Sequence, residues 1–367
     1  MKTKKKGSRP RQRRLLRLIA RTLIGVGLIV VVTGATIFII YGVRKDHREL
    51  GQYDVSDPFI SQDIYKSLDL KLASKAQYPS APIRIYKTLA PSDGLRRQEF
   101  SFEVKDDHLT EYGLLVTPNS PRPARGFPVI ILLHGFVDPD RYDTATSYLT
   151  EMEEYANNGF AVLTPDLRGQ GLSIHAGHAD SAYYSMSYNT DVLSLISAVK
   201  RTSGFDASSI NLWGHSMGAY LALRAAVISK DIKSVIMLSS PADSLHEMYL
   251  TYIPPSDESN PYALATRSDV FAKYGTPEDN TQFWHDASPI YFLGRIRAAV
   301  QIHVGLDDRV VPPRFSQDLD QAFTRQKIAH QYFEYPDAGH ALAQQRPVIY
   351  ERSLKLLLQP TKTTPVT

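Results

Sequence analysis

Ser216 stands between two glycines in the stretch INLWGHSMGAYLAL, residues 210–223. Asp307 and Asp308 follow the apolar segment AAVQIHVG, and His340 closes the segment FEYPDAGH. A serine hydroxyl is a weak nucleophile until a base within hydrogen-bond reach takes its proton and a third group orients that base. These residue types, in the order serine, carboxylate, histidine, fit acyl transfer. Neutral His340 would take the Ser216 proton and return it to the leaving group, so the rate should fall as the imidazole gains a proton. A neighbouring aspartate would hold the imidazole tautomer. Chemistry alone leaves Asp307 and Asp308 as equal candidates.

A sharp turn is needed to expose such a hydroxyl. Gly214 and Gly218, two residues either side of Ser216, permit a strand to pass directly into a helix there. The helix N-terminus then points at the oxygen that gains charge in the tetrahedral intermediate. One oxyanion donor should be the backbone amide of Met217. The other should be the amide of Phe136, in the loop after FPVIILLHGF, with Gly135 allowing the backbone close to the substrate and His134 serving structure.

Other candidates carry less. Asp166 and Arg168 in TPDLRGQGLS read as residues that lock a loop. His175, His178 and Asp180 in HAGHAD lack a preset ligand geometry, so no metal is expected. His215 reads as packing beside the turn, and Tyr183, Tyr184 and Tyr188 read as core rather than pocket entrance. The chain has no cysteine, which excludes disulfides and thiolate catalysis. No glycine-rich phosphate loop or dinucleotide fingerprint occurs, so no cofactor is expected.

The elements that must position these residues follow from periodicity. RRQEFSFEV and EYGLLVTP alternate and read as paired antiparallel strands. FPVIILLHGF, FAVLTPD, INLWGHS, SVIMLSSP, AAVQIHVG and HQYFEYPD read as further strands. TSYLTEMEEYANNG, NTDVLSLISAVKRTSG, MGAYLALRAAVIS, FSQDLDQAFTRQ and PVIYERSLKLLL read as helices. Strands alternating with such helices imply a mostly parallel sheet flanked by helices. Ser216, the aspartates and His340 then fall at carboxyl ends of strands, where open α/β sheets carry their sites. Residues 242–297, rich in Tyr, Phe, Trp and Pro, exceed an ordinary loop and read as an inserted cap.

The net charge of +4 belongs to the N-terminus. Residues 1–21 hold ten Lys and Arg and no acid, leaving 32 basic against 38 acidic residues elsewhere. No nucleic-acid partner is therefore expected. Residues 23–41 form an uncharged run of 19 residues, and as a helix they would reach about 28 Å, the thickness of a bilayer's hydrocarbon. A basic tail at 1–22 preceding that anchor would put the N-terminus in the cytoplasm and the remainder outside. A cleaved signal peptide is the rival, though its apolar region is normally about 7–15 residues and Thr33-Gly34-Ala35 is a poor cleavage site. A connector at 42–83, with a short helix in DPFISQDIYKSLDLKLASKA, leads to a catalytic domain at 84–360 and a tail at 361–367.

Together, LLHGF, LTPDLRGQGLS, GHSMGA, GLDDRVVP and DAGH resemble the α/β-hydrolase superfamily. The resemblance implies that superfamily's fold over the region from about Arg84 to Gln359. It also selects Asp308 as the acid, three residues after Gly305 and just before a Val-Val-Pro run. YGLLVTPNSPRPARGFPVIILLHGF and ASPIYFLGRIRAAVQIHVGLDDRVVP are similar to segments of prolyl-oligopeptidase-family catalytic domains and of related esterases. The implied activity is that of a membrane-anchored serine hydrolase acting through an acyl-enzyme on peptide, aminoacyl or ester bonds of a small molecule or short peptide. The elbow ends Gly-Ala, closer to esterases and lipases, so a carboxylesterase is the alternative. A non-catalytic adhesion domain on the same fold is a further rival, and a dehalogenase or epoxide hydrolase would need a carboxylate where Ser216 stands.

Overall fold

The computed structural model describes residues 69–92, 94–138, 140–173, 187–241, 245–247, 271–272 and 274–359. Residues 1–68, which include the expected anchor and most of the connector, lie outside that set, as does the tail. No helix among the described residues is long and apolar enough to cross a membrane.

Among the described residues nine strands form one sheet: β1 (Arg84–Thr88), β2 (Leu95–Val104), β3 (Leu109–Pro118), β4 (Phe127–Leu133), β5 (Ala161–Pro165), β6 (Phe205–His215), β7 (Ile232–Leu238), β8 (Ala299–Gly305) and β9 (His330–Tyr335). Their order is β1-β2-β3-β5-β4-β6-β7-β8-β9. Pairing is antiparallel from β1 to β5 and parallel from β5 to β9. Among the described residues the α-helices longer than four residues are α1 (Leu149–Asn157), α2 (Ser187–Arg201), α3 (Met217–Ile228), α4 (Thr281–Ala287), α5 (Arg314–Arg325) and α6 (Arg346–Leu357).

The continuous apolar runs are strands buried on both faces. Successive side chains of a strand point to opposite faces. Val129, Ile131 and Leu133 of β4 pack with Val192 and Ile196 of α2, Ala222 of α3 and Phe323 of α5. Ile130 and Leu132 pack on the other face with Met152 and Tyr155 of α1 and Ile349 and Leu356 of α6. Helix α3 is apolar on nearly every side and is buried along almost its whole length, as an element central to the molecule must be. Its Arg224, fully buried, donates to the carbonyl of Ala287 at the end of α4, which ties the segment before β8 to the helix behind the elbow.

Two elements depart from the periodicity. β1 was not expected as a strand, because all five of its residues are exposed and it has no buried face to impose alternation. Helix α1 begins at Leu149 rather than near Thr146, because Tyr148 adopts φ 58°, a left-handed conformation that ends any helix reaching it from either side. Of the expected short helix before β1, a single turn at Leu70–Ala73 is described, capped by the Asp69 carboxylate. Of the stretch 242–297, residues 245–247, 271–272 and 274–297 are described.

Candidate active site

β6 ends at His215 and α3 begins at Met217, so Ser216 alone makes the turn. Its backbone is at φ 55° and ψ −122°, a conformation that L-residues rarely adopt. Strain of this kind costs about 1–3 kcal/mol and persists where the surroundings overdetermine it. The surroundings here are close. A Cβ on Gly214 would overlap the carbonyl of Gly218, and one on Gly218 would overlap the carbonyl of Leu133 at the end of β4. The Ser216 N–H donates to the Leu238 carbonyl at the end of β7 (2.8 Å), and the Ser216 carbonyl accepts from Ala219 N (2.9 Å). As the first residue of α3, Met217 has an N–H with no helical carbonyl to bond.

Asp308 and His340 meet across the ends of β8 and β9. Nδ1 of His340 lies 2.8 Å from Oδ2 of Asp308. The other carboxylate oxygen of Asp308 accepts from Val310 N and Val311 N, each at 2.8 Å, and the side chain is fully buried. Both oxygens are thus fixed by a turn that the aspartate itself closes. Asp307 points away: its side chain is 60% exposed and pairs with Arg309 at 3.3 Å. The carboxylate leaves His340 with Nδ1–H as donor and Nε2 as the lone-pair base. Backbone bonds join the two loops, with Asp307 N donating to Ala338 O (3.0 Å) and Leu306 N to Tyr335 O (2.9 Å). The His340 loop is also tied to the elbow strands. Its carbonyl lies 3.0 Å from Nε2 of His215 and accepts from the Ser239 hydroxyl at 3.0 Å.

The remaining sequence candidates divide cleanly. His134 is fully buried, and burial pushes its imidazole down to about 4, so it is neutral. Gly135 was expected to bring backbone near a substrate. Nδ1 of His215 and the Tyr148 hydroxyl each lie 3.1 Å from where a Cβ on it would stand. Phe136, next along, is 46% exposed. Asp166 accepts from the Tyr142 hydroxyl (3.0 Å), the Thr144 hydroxyl (2.6 Å) and Leu172 N (2.8 Å), and Arg168 pairs with Asp107 and Asp191. Both lock the loops around β5. Burial raises the Asp166 carboxyl to about 6 against those three donors. Tyr188 is buried, with its hydroxyl 3.2 Å from the Arg168 carbonyl. His175, His178, Asp180, Tyr183 and Tyr184 lie outside the described residues, among which no cluster suited to a metal ion occurs. Sequence reasoning missed Tyr148. It sits in no motif, and its partners are 13 and 67 residues away.

A strand-to-helix elbow bearing a serine, an aspartate–histidine pair on the next loops and a mostly parallel sheet define the class. A family model described as the alpha/beta hydrolase family matches residues 130–352, and the chain belongs to that family. It is 22% identical over 244 residues to the acylamino-acid-releasing enzyme of Rattus norvegicus, covering 63% of this chain and 31% of the relative. It is 34% identical over 116 residues to an epoxide hydrolase of Caballeronia sordidicola, covering 31% of each. The chain thus spans about a third of the length of the curated relatives it matches. Among solved structures it is similar to an acetyl xylan esterase from Paenibacillus sp. R4, with a TM-score of 0.57 at 20% identity over 80% of this chain and 94% of that one. It is also similar to Porphyromonas gingivalis dipeptidyl peptidase 4, with a TM-score of 0.53 at 18% identity over 77% of this chain and 35% of that one. At these identities the structures share the fold.

Proposed function

We propose that the chain is a serine hydrolase in which Ser216 accepts an acyl group and water releases it, with His340 as base and acid, Asp308 as its orienter, and the amides of Met217 and Phe136 as oxyanion donors. The observation that carries this reading is the 2.8 Å contact of His340 Nδ1 with a buried carboxylate, in a loop fastened to the serine elbow. The bonds proposed for cleavage are carboxylic esters and aminoacyl or peptide bonds of small substrates. The name of the rat relative favours acylated amino acids. Similarity to an acetyl xylan esterase across nearly the whole of that protein favours esters. Epoxide opening through an ester intermediate needs a carboxylate at the elbow, and Ser216 cannot supply one.

The test is turnover of a panel of p-nitrophenyl esters and aminoacyl-p-nitroanilides by the purified protein and by Ser216→Ala. The reading expects one of the two classes to be hydrolysed by the wild type and neither by the variant. Equal turnover by both proteins contradicts it, and a folded wild type inert to the whole panel favours the non-catalytic domain. The uncharged run at 23–41 behind ten basic residues further supports a single-pass membrane protein with its N-terminus cytoplasmic and the catalytic domain outside. Extraction of the full chain from membranes by alkaline carbonate would contradict that placement.

A further inference from the structure

Gly135, the residue before the proposed oxyanion donor Phe136, has both of its backbone polar groups held by side chains. Its N–H donates to the Tyr148 hydroxyl at 3.0 Å. Its carbonyl lies 2.7 Å from Nδ1 of His134. A carbonyl can only accept, so His134 carries its proton on Nδ1. The peptide unit joining residues 135 and 136 is planar, so fixing the Gly135 carbonyl also fixes the direction of the Phe136 N–H.

The Tyr148 hydroxyl continues the chain of contacts. It accepts from Gly135 N–H, and it donates its one proton to the lone pair that a neutral His215 presents at Nδ1, 2.9 Å away. His215 then carries its own proton on Nε2, 3.0 Å from the His340 carbonyl. For a neutral His215 this is the one arrangement that satisfies every contact, because the His340 carbonyl can only accept. Burial, then the neighbouring His340 ring, holds the imidazole down at about 3, with Arg346 acting in the same direction. Burial also raises the Tyr148 phenol to about 12. Tyr148 reaches this place in the left-handed conformation that delays α1, an outlier located where the two loops meet.

We propose that Tyr148 and His215 are positioning residues that lock the oxyanion loop and the His340 loop into one unit, so that the Phe136 amide and the His340 base are set together. The proposal rests on the hydrolase reading, and it deepens that reading by assigning the residues that hold its two catalytic loops in register. Tyr148→Phe keeps the ring between His134, Trp213 and His215 and removes only the hydroxyl. Loss of a complete oxyanion donor lowers kcat about 10²–10³-fold, so a misaimed one should lower it roughly 10- to 100-fold. KM should stay within about twofold, because substrate and transition state would differ in their use of that amide. The affinity of a boronic acid that forms a tetrahedral adduct should fall in step with kcat/KM. His215→Gln, whose amide can still donate to the His340 carbonyl, should retain more activity than His215→Leu.

A readout independent of turnover is the imidazole ¹⁵N spectrum of the wild type near neutral pH. The expected result is a neutral His215 protonated at Nε2 and a neutral His134 protonated at Nδ1, with the His215 Nδ1 resonance shifted in Tyr148→Phe by loss of the hydroxyl's hydrogen bond. A His215 protonated at Nδ1 would overturn the proposal whatever the enzyme's activity. So would an active wild type whose Tyr148→Phe variant keeps the same kcat and boronate affinity. An inert wild type with the expected tautomers would instead sink the hydrolase reading, and with it the functional purpose of the lock.

Discussion

Asp307 and Asp308 are adjacent, identical in type and equally placed after β8, yet only one can act on His340. Asp308 is turned inward by two amide donors from its own loop and meets the imidazole, whereas Asp307 is left to an exposed pair with Arg309. Asp308→Asn should lower kcat by about 10⁴-fold, because the amide presents the wrong partner to Nδ1. Asp307→Asn should leave it unchanged, since an exposed ion pair is worth little. Steady-state kinetics on any substrate found in the panel checks both. Spacing alone left the two aspartates equivalent; family resemblance pointed to Asp308, and the turn geometry gives the physical reason. His215 and Tyr148 were less legible. A histidine between glycine and serine has no periodicity to interpret, and its two side-chain contacts reach 67 and 125 residues along the chain.

At the scale of the element, the elbow is a collision narrowly avoided. β4, β6 and the start of α3 approach so closely that Gly214 and Gly218 leave no room for a methyl group. Gly218→Ala should displace the end of β4, costing about 1–3 kcal/mol as overpacking does, and should lower activity by moving the proposed oxyanion loop that follows it. A melting temperature and an activity equal to those of the wild type would refute that close approach. This junction was legible because apolar segments that form β4, β6 and β7 precede it or flank it, and the Ala/Leu-rich run of α3 starts directly after Ser216. β1 was not legible, because an exposed edge strand carries no burial pattern. The start of α1 was also misread, since propensity cannot register that Tyr148 is held left-handed by partners elsewhere in the fold.

At the scale of the molecule, three buried histidines link stability to pH. Burial lowers His134 to about 4 and His215 and His303 to about 3, against an ordinary 6.5. Below about pH 6.5 the unfolded chain takes up protons that the folded chain refuses, so the unfolded state binds more protons and stability falls as pH falls. The loss continues until the folded-state values near 3–4 are reached. His303 lies within β8, with Nδ1 on the Tyr335 hydroxyl and Nε2 on Gln301. His303→Gln should therefore reduce the slope of unfolding free energy against pH between about 4 and 6 by one proton, about 1.4 kcal/mol per pH unit. Urea titrations across that range measure it, and an unaltered slope would mean that His303 titrates normally in the fold. The α/β architecture was legible from alternating element types. The coupling of buried histidines was not, because burial of a polar ring depends on contacts between distant segments.

The central claim is that Ser216 is a nucleophile activated by its surroundings. Treating the folded protein with a fluorophosphonate and locating the adduct by mass spectrometry tests it directly. The account predicts one probe per chain, on Ser216, and none on Ser216→Ala. A folded wild type that takes up no probe, or a variant labelled as fast as the wild type, would contradict it.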